Sequence, residues 1–277
     1  MKTNVISKIL VYTSLICGVG IFIIPFIYMI LTTFVDQAYS LPRPNEVLSA
    51  VPNLNNYEVV WNKNNFFRYF LNSLLVAGVA TVGSVFLGAL TAYAFARFEF
   101  PFKEIIFRVF LFTMMIPLVL AIVPQFTIIK SLDLVNTYYG LWLIYIGGGV
   151  IGSTFFLRGF FQSVPKELEE SVLMDGGGNW RIFWNIYLPL TKPALATMAI
   201  FAFSGTWDEY FVALTLIKDE MMRTLPIALM MFQGQYASNW AWIFAASIIA
   251  LLPIVIIYVI FQKKFVQGGQ TEGGVKG

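Results

Sequence analysis

The chain has 277 residues, of which 58% are hydrophobic and only 12% charged, against about 25% charged in an ordinary globular protein. Eighteen Lys+Arg and 15 Asp+Glu cannot solvate the outside of a soluble body of this length, so the surplus apolar surface belongs in lipid. With no histidine, one cysteine (Cys17) and a net charge of +3, imidazole acid–base chemistry, His- or Cys-built metal sites, an internal disulfide framework and nucleic-acid binding are all excluded.

A transmembrane helix needs about 20 mostly apolar residues. Six stretches qualify in chain order, at about 9–34, 69–96, 105–129, 139–157, 193–217 and 241–262. They predict an all-α integral membrane protein whose 277 residues form a single transmembrane domain. The first stretch, preceded by Lys2 and Lys8, reads as an uncleaved helix because it is too long for a signal peptide and lacks a small-x-small cleavage site. The segment from Val35 to Arg68 holds Pro42, Pro44 and Pro52 among several asparagines, which suits an irregular cap.

The basic residues orient the bundle. With both termini inside, the inner segments carry twelve of them (Lys2, Lys8, Arg97, Lys103, Arg108, Arg158, Lys166, Arg181, Lys192, Lys263, Lys264, Lys276) and the outer ones six. The bias favours cytoplasmic ends.

The second stretch carries a small residue at every fourth position: Ala80, Ser84, Gly88, Ala92, Ala96. That stripe lets another helix approach closely, and Gly147, Gly148, Gly149 and Gly152 in the fourth stretch read the same way. No lysine accompanies these glycines, so the chain has no phosphate-binding loop of its own. Uphill movement of any solute would draw on a partner or an ion gradient.

The inner segment at about 158–192 is the most informative. Ser163 is placed to cap a helix and Pro165 suits its first turn, with Glu167, Glu169 and Glu170 near the positive end of the dipole. Leu168 and Val172 lie four apart, with Leu173 and Met174 widening the apolar side. Gly176, Gly177 and Gly178 stop this helix and permit a sharp turn. Asn179 is placed to cap a second short helix bearing Trp180, Ile182, Phe183, Trp184 and Ile186, which ends at Leu188-Pro189. The pattern fits a docking knob for a cytoplasmic protein. A helix lying on lipid and a plain loop are the alternatives, and an acidic first turn disfavours adsorption to an anionic leaflet.

Glu170-Ser171-Val172, Gly176 and Leu188-Pro189, with Ile186 between, resemble in spacing the EAA loop of the permeases of ABC importers. Where that family has two alanines after the glutamate and one after the glycine, this chain has Ser171, Val172 and Gly177. Asn72-Ser73, Ala92-Tyr93-Ala94-Phe95-Ala96-Arg97, Trp207-Asp208-Glu209-Tyr210, Arg223-Thr224-Leu225-Pro226 and the tail from Phe265 to Gly277 extend the resemblance to the carbohydrate branch, the second permease of maltose-type and multiple-sugar-type systems. The resemblance implies a type I importer bundle of six helices in a bacterial-type inner membrane. It also implies a second homologous permease, two cytoplasmic ATPase subunits that bind ATP and magnesium, and an extracytoplasmic sugar-binding protein. This chain would be a non-catalytic subunit with no cofactor or metal of its own. Its coupling residues would be Glu170, Ser171, Val172, Asp175, Gly176, Gly177, Leu188 and Pro189.

Asp208 and Glu209 fall within the fifth stretch, where carboxylates are expensive and face an interior or a watery cavity. With Trp207 and Tyr210 they line a sugar path or hold an outer gate. Asn72 and Ser73 read as helix-end or interhelical hydrogen-bonding groups. The tail at 263–277, rich in glycine, is expected to be flexible and cytoplasmic. Two other functions remain open: the same machinery carrying glycerol phosphate or a polyamine, and an ion-driven carrier using Asp208 and Glu209.

Overall fold

The structure, a computed structural model, describes residues 5–273 apart from 37, 50, 64, 237 and 238, with side chains described over 8–262. Among the described residues the regular structure is entirely helical. In chain order it comprises α1 (Val5–Thr32), α2 (Pro44–Ser49), α3 (Asn55–Asn62), α4 (Phe66–Arg97), α5 (Lys103–Met114), α6 (Leu118–Ser131), α7 (Tyr138–Gln162), α8 (Lys166–Met174), α9 (Asn179–Ile182), α10 (Leu188–Leu190), α11 (Lys192–Trp207), α12 (Phe211–Leu216), α13 (Leu225–Gln235) and α14 (Trp240–Gly273). A π-helical turn, Phe183–Tyr187, joins α9 to α10, and a 3₁₀ turn, Glu220–Met222, precedes α13.

Four helices are long and apolar enough to cross a membrane unbroken: Lys8–Thr32, Phe66–Arg97, Tyr138–Gln162 and Trp240–Gln262. The third and fifth expected spans are not straight rods. The third is split into α5 and α6, bent by 107°. Pro117, extended at ψ 132°, has no N–H for the helical ladder and disfavours helical geometry at Ile116. The fifth ends at Trp207, ten residues short of the expected limit, and α11 meets the Asn179–Leu190 segment at 79°. Counting each bent pair as one crossing, the spans number six among the described residues.

Where the sequence predicts one domain, the helices gather into two compact units. The first is formed by residues 1–67 and 228–251. The segment expected to be an irregular cap contains α2 and α3 and makes its own hydrogen bonds. The Asn56 side-chain amide donates to the Thr33 and Val35 carbonyls at 2.8 Å each, and Thr33 and Tyr57 hydroxyls meet at 2.8 Å. Tyr28 donates to the Pro42 carbonyl. The Lys63 ammonium lies 4.0 Å from the centre of the Trp242 ring, a cation–π contact.

The second unit, residues 68–227 and 252–277, carries the segments singled out by sequence. Its centre is the crossing of α4 and α7, and the small-residue stripe is what permits it. Ala80, Ser84 and Ala92 are buried, and a methyl group added at Gly149 would stand 2.5 Å from the Ser84 Cβ. Thr91 and Thr154 hydroxyls bond each other across the crossing. Only backbones lacking bulk approach this closely. Gly147, Gly148 and Gly152 face open space, so only Gly149 of that group serves the crossing. Buried apolar residues form one cluster at each end of the unit, around Tyr93, Phe161, Phe183 and Tyr187, and around Ile129, Leu141, Val212 and Leu216.

The helix α14 continues through Gly273, past Lys264 where sequence predicts a flexible tail. A helix already nucleated by a long apolar stretch propagates without paying the initiation cost again. Val275, Lys276 and Gly277 lie outside the described residues.

Candidate functional site

At one end of the second unit, α8 is a nine-residue helix held between α7 and a glycine turn. Neither expected side-chain cap forms. Ser163 terminates α7, its hydroxyl donating to the Phe160 carbonyl at 2.8 Å, and extended Pro165 occupies the capping position instead. Asn179 is the first residue of α9 and Gly178 precedes it with no capping bond. Acidic Glu167 and Glu169 in the first turn still complement the exposed amides.

The glycine turn is a complete Schellman motif. Gly176 adopts φ +74°, its N–H donates to Leu173 O at 3.0 Å, and the Gly177 N–H reaches back to Val172 O at 2.8 Å. Gly176 therefore supplies left-handed backbone, and Gly177 supplies space. A Cβ at Gly177 would lie 2.5 Å from Val172 Cγ1 and 2.9 Å from Val172 O. Of the three departures from the EAA pattern, those at Val172 and Gly177 are linked in physical terms: the larger side chain at Val172, together with its own carbonyl, occupies the volume that a side chain at Gly177 would need.

The α8 helix is fastened by a different residue from those named by sequence. Glu169, 19% exposed, pairs with the 7% exposed Arg97 at the end of α4, Nε to Oε1 3.0 Å. Tyr187 donates its hydroxyl to Glu169 as well, and Arg97 donates to the Val164 carbonyl. The guanidinium carbon lies 5.2 Å from the Tyr187 ring centre. Val172, three residues after Glu169, packs beside it on the buried cluster. The apolar side expected from Leu168, Val172, Leu173 and Met174 is accordingly divided, with Val172 inward and Leu168, Leu173 and Met174 (87%) exposed.

Of the remaining predicted coupling residues, Glu170, Ser171, Asp175 and Pro189 are exposed, and Leu188 is half-buried against the cluster. Trp180 and Trp184 are also exposed. Pro189 has no N–H to continue the ladder, and the preceding turn widens so that the Leu188 N–H bonds the Phe183 carbonyl five residues back. The structure therefore brings the predicted coupling residues into one corner with an exposed face.

At the other end, Trp207 is 2% exposed, stacked on Phe203 at 5.4 Å and edge-on to Phe70 at 5.6 Å. Its ring is in the packing. Glu209 accepts from Tyr145 Oη at 2.6 Å and from the Val212 and Ala213 N–H groups at 2.8 and 3.1 Å. It thereby caps α12 and ties it to α7. Asp208 closes α11 and is exposed, while Tyr210 is half-buried against Phe211. Asn72 donates to the Met221 and Arg223 carbonyls at 2.9 Å each, Arg68 donates to Met221 O at 3.0 Å, and Ser73 accepts from Leu225 N–H at 2.7 Å. Asn72 and Ser73 thus hold the connection before α13. Asn136, not singled out by sequence, accepts from the Lys218 and Asp219 N–H groups.

These features define a polytopic helical membrane protein with a fastened amphipathic corner at one end and a hydrogen-bonded clasp at the other. The chain belongs to the family described as binding-protein-dependent transport system inner membrane component, which matches it over residues 84–268. It is 34% identical over 258 residues to the diacetylchitobiose uptake system permease protein of Streptomyces coelicolor, covering 91% of this chain and 84% of that one. It is 32% identical over 280 residues to the trehalose/maltose transport system permease protein of Thermococcus litoralis, covering all of both. Its fold matches a chain in the crystal structure of a bacterial ABC transporter involved in import of the acidic polysaccharide alginate, with a TM-score of 0.79, 22% identity and coverage of 96% and 99%.

Proposed function

We propose that this chain is the permease subunit of an ATP-driven, binding-protein-dependent importer of carbohydrate. The observation that carries the coupling assignment is the exposed face of α8. Glu170, Leu173 and Met174 stand outward on a short helix whose opposite side is anchored by Val172 and Glu169. A rigid knob with an unfilled apolar and acidic face suits reception of a cytoplasmic partner. The diacetylchitobiose and trehalose/maltose systems of the relatives support a carbohydrate cargo, and the spans offer few basic groups for a phosphorylated one.

In this reading the α8 end and both termini face the cytoplasm, in accord with the twelve-to-six division of basic residues. Two ATPase subunits hold ATP and magnesium, and the chain itself binds no cofactor and performs no catalysis. A second homologous permease completes the passage, and an extracytoplasmic binding protein delivers the sugar. Closure of the ATPases on ATP moves the docked α8 segments and turns the bundles outward. Hydrolysis lets them reopen inward, so the device is a rigid handle on a two-state bundle. Trp207, Asp208, Glu209 and Tyr210 act at the outer gate, where Glu209 maintains the clasp.

The experiment is reconstitution with the ATPase subunits, partner permease and binding protein in proteoliposomes. Glu170→Lys and Gly176→Pro abolish uptake while the binding protein's affinity for sugar is unchanged, and the ATPase co-purifies with the unaltered chain. Normal uptake in both variants would refute the coupling assignment. The sugar that stimulates ATP hydrolysis in the complex identifies the cargo.

A further inference from the structure

We propose that Arg97 and Glu169 form the strut that makes α8 move as one body with α4, so that force received at the coupling corner enters the membrane through this pair. The inference rests on the assignment of α8 as the coupling helix and names positioning residues behind it. One guanidinium touches three segments at once: Glu169 of α8 at 3.0 Å, the Val164 carbonyl in the α7–α8 connection, and the ring of Tyr187 beyond the glycine turn. Glu169 is in turn held by the Tyr187 hydroxyl.

The rest of the attachment is apolar, through Val172 and its neighbours. Apolar packing is non-directional and tolerates sliding. The ion pair is largely buried and each partner is also fixed by a hydrogen bond elsewhere, Arg97 to the Val164 carbonyl and Glu169 from the Tyr187 hydroxyl, so separating them exposes an uncompensated charge. Arg97 is also the last residue of α4, where a cation complements the helix dipole. From Arg97 the α4 helix runs unbroken through its contact with α7 at Ser84 and Gly149 to the residues that hold the connection before α13, Ser73 and Asn72. A displacement at α8 thus has a continuous rigid path to the opposite end of the unit.

The test uses the assembled complex in proteoliposomes and reads sugar imported per ATP hydrolysed, alongside ATPase co-purification. Glu169→Gln and Arg97→Met lower that ratio by roughly tenfold, a size typical of altered coupling elements, while co-purification and hydrolysis persist. The exchange Arg97→Glu with Glu169→Arg restores part of it, and Tyr187→Phe gives a smaller loss. Unchanged ratios in the single variants would overturn the proposal. Should those variants fail to assemble, spin labels at Leu87→Cys and Glu167→Cys, in a Cys17→Ser background, decide it. Their separation stays constant between nucleotide-free and ATP-bound complexes if the strut holds, whereas a change of about 5 Å, one helical turn, would overturn it. Normal uptake in both Glu170→Lys and Gly176→Pro, by contrast, would refute the coupling assignment itself and leave the strut as an ordinary structural pair.

Discussion

The two ends of the second unit solve one mechanical problem in different ways. Each fastens a short helix, α8 or α12, to the long helices α4 and α7. At the α12 end the carboxylate of Glu209 is consumed internally, while its neighbour Asp208 is exposed. Glu209 spends both oxygens on Tyr145, Val212 and Ala213, and Trp207 is enclosed between Phe203 and Phe70. At the α8 end only the inner side is satisfied, by Arg97, Tyr187 and Val172, and the outer side leaves Glu170, Leu173 and Met174 exposed. On the proposed reading, the difference marks where a partner would dock: a carboxylate used within its own chain stabilises a state, and an exposed face is left for something else.

The largest expected effect tests the closed end. Trp207→Ala destabilises the chain by about 3–5 kcal/mol, as for other large aromatic truncations in packed cores, and Trp207→Phe by much less, measured by thermal unfolding in detergent. Stability unchanged alongside lost uptake would break the comparison by making Trp207 a wall of the passage. At the other end, Gly177→Ala costs about 1–2 kcal/mol through overpacking, and adding Val172→Ala recovers part of it, the clash with the Val172 carbonyl remaining. A double-mutant cycle measures the coupling, and strict additivity would contradict the shared volume.

A smaller loss follows Glu209→Gln. The substitution removes the charge at the start of α12 and one of its two amide acceptors, lowering stability by about 1 kcal/mol, and amide hydrogen exchange at Val212 and Ala213 accelerates. The smallest belongs to Glu170→Gln, whose side chain is exposed. It changes stability by less than about 0.5 kcal/mol yet reduces ATPase association in a pull-down. Equal effects on folding at Glu170 and Glu209 would erase the distinction between the two ends.

Much was legible from the chain alone. The membrane class follows from the scarcity of charge, and the spans from uninterrupted apolar length, because lipid imposes both requirements on any sequence. The glycine corner was legible too, since a left-handed turn at Gly176 is a local property of backbone sterics. The small-residue stripe announced a close helix contact, although not which glycine of α7 would meet it.

What only the tertiary structure decided is which polar residue points inward. Glu167, Glu169 and Glu170 are equivalent in charge and local propensity, and only Glu169 meets Arg97, 72 positions earlier in the chain. Glu209 caps α12 through local bonds to Val212 and Ala213, and only α7, by bringing Tyr145 beside it, adds the contact that ties the cap to the bundle. The expected third span runs straight through Pro117, and the 107° bend there appears only in the structure. Local chemistry determines what each segment is able to do. Contacts between residues far apart in sequence determine which of those capacities is used.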